Sequence, residues 1–257
     1  DSLNKQNGLF LYVNVHSSQF PSGEIRGVYG LAQGGIFDLP PAPPAITSLS
    51  GDDLTRDVAR FLTQATFGPT QAEIEALVDD INNNHSGNRM AGYAQWIDDQ
   101  LALDQTNLYD YTFAADAQEF DLLGVDPADA TPQTGPNQNN RRRGWWLSAV
   151  GGHDQLRPRA GFAVSQIFVG SEADNLVRLK HYGAAEYYDR LVESADGNFR
   201  VLLEDISKSP IMGTYLSSLK NQKAIVEQQT GDILVAPDEN YAREIMQLFS
   251  IGLLQLN

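Results

Sequence analysis

A chain of 257 residues with 42% hydrophobic and 9% aromatic side chains is long enough for one large domain or two smaller ones around an apolar core. Its 18 basic against 33 acidic residues leave a formal charge of −15, which argues against general nucleic-acid binding, disfavours docking on anionic lipid and fits a self-repelling surface. Cysteine is absent, excluding disulfides, thiolate metal sites and thiol nucleophiles, and no run of about 18 apolar residues is present to cross a membrane.

The opening DSLNKQNG runs directly into strand-like sequence, and the chain stops at LLQLN, so the expectation is a piece of a longer polypeptide. Residues 9–16, LFLYVNVH, are dominated by Phe10, Tyr12, Val13 and Val15 and read as a strand. Pro21, Ser22 and Gly23 supply turn chemistry, and residues 24–30 form a second short strand. A lone hairpin is marginal in water, so this pair is expected to complete a sheet supplied by another segment or chain. His16, single at a strand end, reads as a hydrogen-bonded structural residue. Pro40, Pro41, Pro43 and Pro44 make residues 32–53 a semi-rigid linker.

From Leu54 the apolar period becomes helical. Leu54, Val58, Phe61, Leu62 and Ala65 share a face, with Asp52 or Asp53 as cap. Thr70 and Glu73 form a capping box for a helix burying Ile74, Leu77, Val78 and Ile81. Residues 81–88 read as a loop with His85 in solvent, and 93–103 as a third helix presenting Tyr93, Trp96, Ile97 and Leu101. Residues 104–140 are weakly patterned and rich in acids. RRRGWW, 141–146, combines three arginines with two tryptophans. Phosphate or base stacking is one reading; the preferred one has Trp145 and Trp146 opening a core helix while the arginines pair with carboxylates or lie over the core. Residues 154–171 are apolar almost all round, as in the middle of a bundle. Three further helices follow, marked by Tyr187, Tyr188, Leu191 and Val192, by Phe199, Leu202, Leu203 and Ile206, and by Met212, Tyr215, Leu216 and Leu219, and 221–236 reads as a loop.

The last element is PDENYAREIMQLFSIGLLQL, 237–256. Pro237 suits a first helical position, Tyr241, Ile245, Leu248 and Phe249 form an apolar stripe, and Gly252 can close the helix. Its other face carries Glu239, Asn240, Arg243, Glu244 and Gln247, either solvated or a network under another element. The fold class expected is therefore mainly α: a multi-helix, bundle-like domain over 54–257, preceded by a short β-hairpin over 1–31 from a truncated all-β module and by the linker 32–53.

Two resemblances bear on this reading. YVNVHSSQFPSGEIRG, 12–27, resembles the end of the CHRD (chordin-type) domain, an all-β extracellular module. RFLTQATFGPTQAEI (60–74), RRRGWW, LRPRAGFAVSQIF (156–168), GNFRVLLEDISKSPIMGTYL (197–216) and PDENYAREIMQLFSIGL (237–253) resemble, in order, the large bacterial domain-of-unknown-function family 1800. The resemblance implies roughly the first half of such a domain, in an exported bacterial protein located in the periplasm, on the cell surface or outside the cell. It implies no settled activity. Many members carry a WHNHF-like segment where this chain has SQIF, 165–168, so histidine chemistry there is not implied.

No nucleophile elbow, zinc-protease motif or phosphate-binding glycine loop occurs. His16, His85, His153 and His181 show no i,i+3 or i,i+4 spacing, so no metal site or cofactor is expected; weak calcium binding by loop carboxylates stays open. The favoured function is a non-catalytic surface or extracellular protein with a structural or interaction role, its partners being the rest of a longer polypeptide or neighbouring subunits. The alternative is a hydrolase acting on extracellular polymer. There Glu239 and Glu244 would be general acid and base, Arg243 would bind an anionic group and Asn240 would orient substrate.

Overall fold

A computed structural model describes residues 9–15, 25–31, 48–129, 137–250 and 252. It is mainly helical, as expected, and divides into two compact units, Ile46–Tyr215 and a second made of Asp1–Ala45 with Leu216–Asn257. The proline-rich stretch and His16 lie outside the described residues.

The larger unit begins with α1 (Gly51–Ala65), α2 (Gln71–Asn84) and α3 (Arg89–Ala102). Leu54, Val58 and Leu62 of α1 meet Leu77 and Ile81 of α2 and Tyr93 of α3, all buried. Phe61 stacks on Tyr93 at 4.1 Å and meets the Trp96 ring edge-on at 5.2 Å. The Thr70 capping box forms, with the Glu73 carboxylate accepting from Thr70 N–H at 2.6 Å. The cap foreseen at Asp52 or Asp53 does not form. Ser50 is the N-cap residue, and both aspartates lie inside the first turn, where the helix dipole favours their charge. His85 is not solvated as expected. Its Nε2 lies 3.1 Å from Asp80, because the close of α2 folds it back over its own last turn.

The weakly patterned segment contains α4 (Leu108–Leu123), which periodicity did not reveal. It packs on α5 (Gln138–Gly151) in antiparallel fashion: Thr112 faces Gly144 and Asp116 bonds Asn140. A Cβ at Gly144 would lie 3.0 Å from Thr112 N, so glycine permits the close crossing. Trp145 and Trp146 sit in the middle of α5, not at its start, and Trp146 is 65% exposed.

Next come α6 (Leu156–Ser165), α7 (Asn175–Arg178), α8 (His181–Glu193), α9 (Phe199–Lys208) and α10 (Pro210–Tyr215). Phe168, Val177, Leu191, Val192, Ile206, Ile211 and Met212 are buried in this part of the unit. The segment expected to be covered all round is not. Helix α6 ends at Ser165, whose hydroxyl bonds back to Phe162 O, and Ile167 and Val169 beyond it are exposed.

In the other unit, β1 (Leu9–Val15) and β2 (Ile25–Leu31) pair antiparallel in the register Tyr12↔Val28. Residues 221–236 are not a plain loop. They hold a second hairpin, β3 (Ile225–Val226) with β4 (Ile233–Val235), closed by Glu227 N–H on Asp232 O and by Gly231 at φ +78°. Its strands are too short for an alternation signal. Helix α11 (Asn240–Gln247) starts three residues later than expected, leaving Pro237 outside. The main chain of Asp238 is bonded on both sides by the Asn221 amide, and its carboxylate accepts from Asn240 N–H. Gly252 does not end the helix: Leu248 is the C-cap, in right-handed conformation, and Gly252, at φ +84°, lies beyond it, donating to Met246 O.

Candidate functional site

The four residues proposed for catalysis meet at one guanidinium. Arg243 donates to Asn240 at 2.9 Å and lies 3.5 Å from Glu239 and 3.6 Å from Glu244. Glu239 is 84% exposed, and the Glu244 side chain is largely covered. Of the predicted apolar stripe, Phe249 is buried, Tyr241 and Ile245 are half-buried, and Leu248 is exposed. Both carboxylates face the same cation.

Among the buried or half-buried carboxylates of the larger unit that the sequence did not single out are Asp116, Asp189 and Asp57. Asp116, in the middle of α4, accepts from Asn140 of α5 at 2.8 Å and meets His181 Nε2 of α8 at 2.9 Å. Tyr182 also bonds this carboxylate; burial and Asp116 together push its phenol well above the usual range. Asp189 of α8 accepts from Leu108 and Tyr109 N–H at 2.6 and 2.8 Å, capping α4 from another helix because the Asn107 side chain makes no cap bond. Burial pushes its carboxyl up to about 6, overriding the two N–H bonds. Asp57 of α1 binds Arg89 and the Tyr93 hydroxyl. Burial raises its pKa, but these bonds with the Arg89 and Arg60 charges leave it net lowered. In each centre the carboxylate joins different helices, which makes it a fastening of the fold.

A cleft of about 420 Å³ opens between α5, α6 and α8. Gly161 brings α6 against α8: a Cβ there would sit 2.5 Å from Val192 Cγ2 and 2.8 Å from its Cα. Phe168 forms part of the lining and is held by Tyr187, whose hydroxyl donates to Phe168 O at 2.8 Å. Trp145, Trp146 and Phe162 supply aromatic walls, with the two indoles 5.0 Å apart and nearly perpendicular. At the rim Glu172 accepts from Arg141 Nε at 2.5 Å and Arg142 Nε at 3.0 Å. The Glu172 side chain is only 7% exposed. Its burial raises the pKa, but the two guanidinia outweigh this and hold it below the ordinary carboxylate range. Arg142 is 53% exposed, and its Nη2 has no protein hydrogen-bond partner among the described residues. The expected pairing of these arginines with a carboxylate is thus present.

A second cavity of about 470 Å³ lies between α1, α2, α3 and the α5–α6 junction. Its polar groups serve the backbone: Gln155 bonds Ala149 O and Gly152 O, and Gln100 accepts from Gln155 and Leu156 N–H. Arg157 likewise donates to Leu101 O and Leu103 O at the end of α3. Among the described residues no three His, Asp or Glu side chains converge as a metal site, and no helix is long and apolar enough to cross a membrane.

RRRGWW, read from the sequence as the opening of a core helix, instead supplies one wall of the cleft, and Glu172, in an unremarkable loop, gave no sign of its role. Asp116 did leave a signal: it follows Leu108, Thr112 and Ala115 on the buried stripe of α4, where an acid needs partners. No curated protein and no solved structure matches this chain. The model of the family described as protein of unknown function, DUF1800, matches residues 60–255, well over half of the chain, and the chain therefore belongs to that family.

Proposed function

We propose that this chain is a non-catalytic interaction domain of an exported bacterial protein, working in the periplasm, at the cell surface or outside the cell, and that it holds a partner molecule in the cleft between α5, α6 and α8. The cleft carries the reading: its volume lies in the range of ligand sites, and its aromatic walls surround a few fixed polar groups. The setting is supported by the CHRD-like stretch 12–27. Anilinonaphthalene sulfonate, a fluorescent probe of apolar sites, tests the cleft. Saturable enhancement that Trp146→Ala removes without changing the circular dichroism is expected; enhancement unaffected by the substitution overturns the reading.

The rival reading, a hydrolase on extracellular polymer, is favoured by the meeting of Glu239, Asn240 and Glu244 at Arg243. Incubation with bacterial and plant polysaccharides is expected to release no reducing ends. Release that Glu244→Gln abolishes would establish the hydrolase instead.

A further inference from the structure

Resting on the cleft as a binding site, we infer that its occupant is an acidic saccharide: a sugar chain presenting one carboxylate to Arg142 while a ring packs on Trp146.

Three features select this chemistry. The first is a large exposed indole at the mouth of the cleft, set nearly perpendicular to Trp145. A flat aromatic face in water matches the C–H face of a pyranose ring, whose hydroxyls stay at the edges in reach of polar groups. The second is the rim. Glu172 engages the Nε of both Arg141 and Arg142, which fixes the two guanidinia side by side. Arg142 Nη1 reaches Asn139 at 3.5 Å, and Nη2 is left for a ligand. A guanidinium already oriented by a buried carboxylate loses little freedom on receiving a second one, and its fork suits carboxylate geometry.

The third is charge. Two arginines against one glutamate leave the rim one unit positive, on a chain of −15. That spot attracts an anion, whereas the surrounding surface repels a polyanion. A largely neutral saccharide with a single uronate satisfies both conditions. An organic cation in an aromatic cage would face the rim arginines, which disfavours it. Gln166 at the same mouth is exposed and adds a carboxamide suited to sugar hydroxyls.

The test uses the whole chain and four probes: xylotriose carrying one methylglucuronate, unsubstituted xylotetraose, para-hydroxybenzoate and anilinonaphthalene sulfonate. Calorimetry and tryptophan fluorescence are read in parallel. The expected result is that the uronate-bearing oligosaccharide binds at least about tenfold tighter than xylotetraose and weakens with added salt. Trp146→Ala lowers affinity for both saccharides, and Arg142→Gln abolishes only the preference for the acidic one. Trp146 is exposed, so its replacement leaves the fold intact, and Arg142→Lys, keeping the charge without the fork, restores part of the preference.

Equal binding of both saccharides overturns the inference, as does preference unaltered in Arg142→Gln. Tighter binding of para-hydroxybenzoate than of either saccharide assigns the cleft to aromatic acids. If the fluorescent probe binds through Trp146 but neither saccharide does, the acidic-saccharide assignment fails and the cleft remains a binding site. If none of the four binds, both readings fall.

Discussion

At the residue scale, Gly161 has the sharpest packing requirement near the cleft. Alanine there gains up to about 1 kcal/mol in helix propensity. Overpacking costs about 1–3 kcal/mol, and here the clash involves the Val192 backbone as well as its side chain. Gly161→Ala is therefore expected to lose about 1–2 kcal/mol in urea denaturation and to weaken probe binding by separating α6 from α8. Unchanged stability would show that the two helices adjust freely. Trp146 is the opposite case: large, exposed and without structural necessity in its indole, it is the residue whose loss separates binding from folding.

At the scale of the element, α4 shows how a helix can exist without a clear pattern. Its acids and its small residues Thr112, Ala115 and Ala117 dilute the apolar stripe, and its first N–H groups depend on Asp189, some 80 residues away. The raised Asp189 pKa gives this dependence a sign. A folded-state value of about 6 against an ordinary 3.8 means the folded chain holds the proton more tightly. The contribution is complete below 3.8 and is lost as pH rises through about 6, by about 3 kcal/mol at full ionisation. Stability measured in urea is expected to contain this falling component between those values, and Asp189→Asn to remove it. The α2 capping box is the contrasting case, complete within four consecutive residues and so legible without any partner.

At the scale of the whole molecule, two ion-paired carboxylates act in the other direction. Glu172 and Asp57 both have lowered pKa values: burial opposes ionisation, and their arginine partners outweigh it. Their contributions are present above the ordinary carboxylate range and are lost as pH falls through the depressed values. Acid unfolding is expected to begin there, and Glu172→Gln, which lacks this contribution at every pH, to move the midpoint of an acid titration followed by circular dichroism to higher pH. An unmoved midpoint would exclude Glu172 from that transition. The charge of −15 supplies background repulsion that salt screens, so the wild-type chain is expected to gain stability on adding salt while the pairs at Asp57 and Glu172 change little.

The sequence by itself determined what depends on neighbours along the chain. Helical period placed α1, α2, α8 and α9, and the Thr70–Glu73 pair began α2. Motif order indicated the family that residues 60–255 match. These signals are local because helix bonds and caps join residues within about four positions. The tertiary structure alone decided which polar groups act together. Asp116 with His181, Asp189 with the start of α4, and Glu172 with Arg141 and Arg142 are joined across 30 to 81 residues. No periodicity encodes such meetings; the cost of burying a lone carboxylate says only that a partner exists, and packing decides which one.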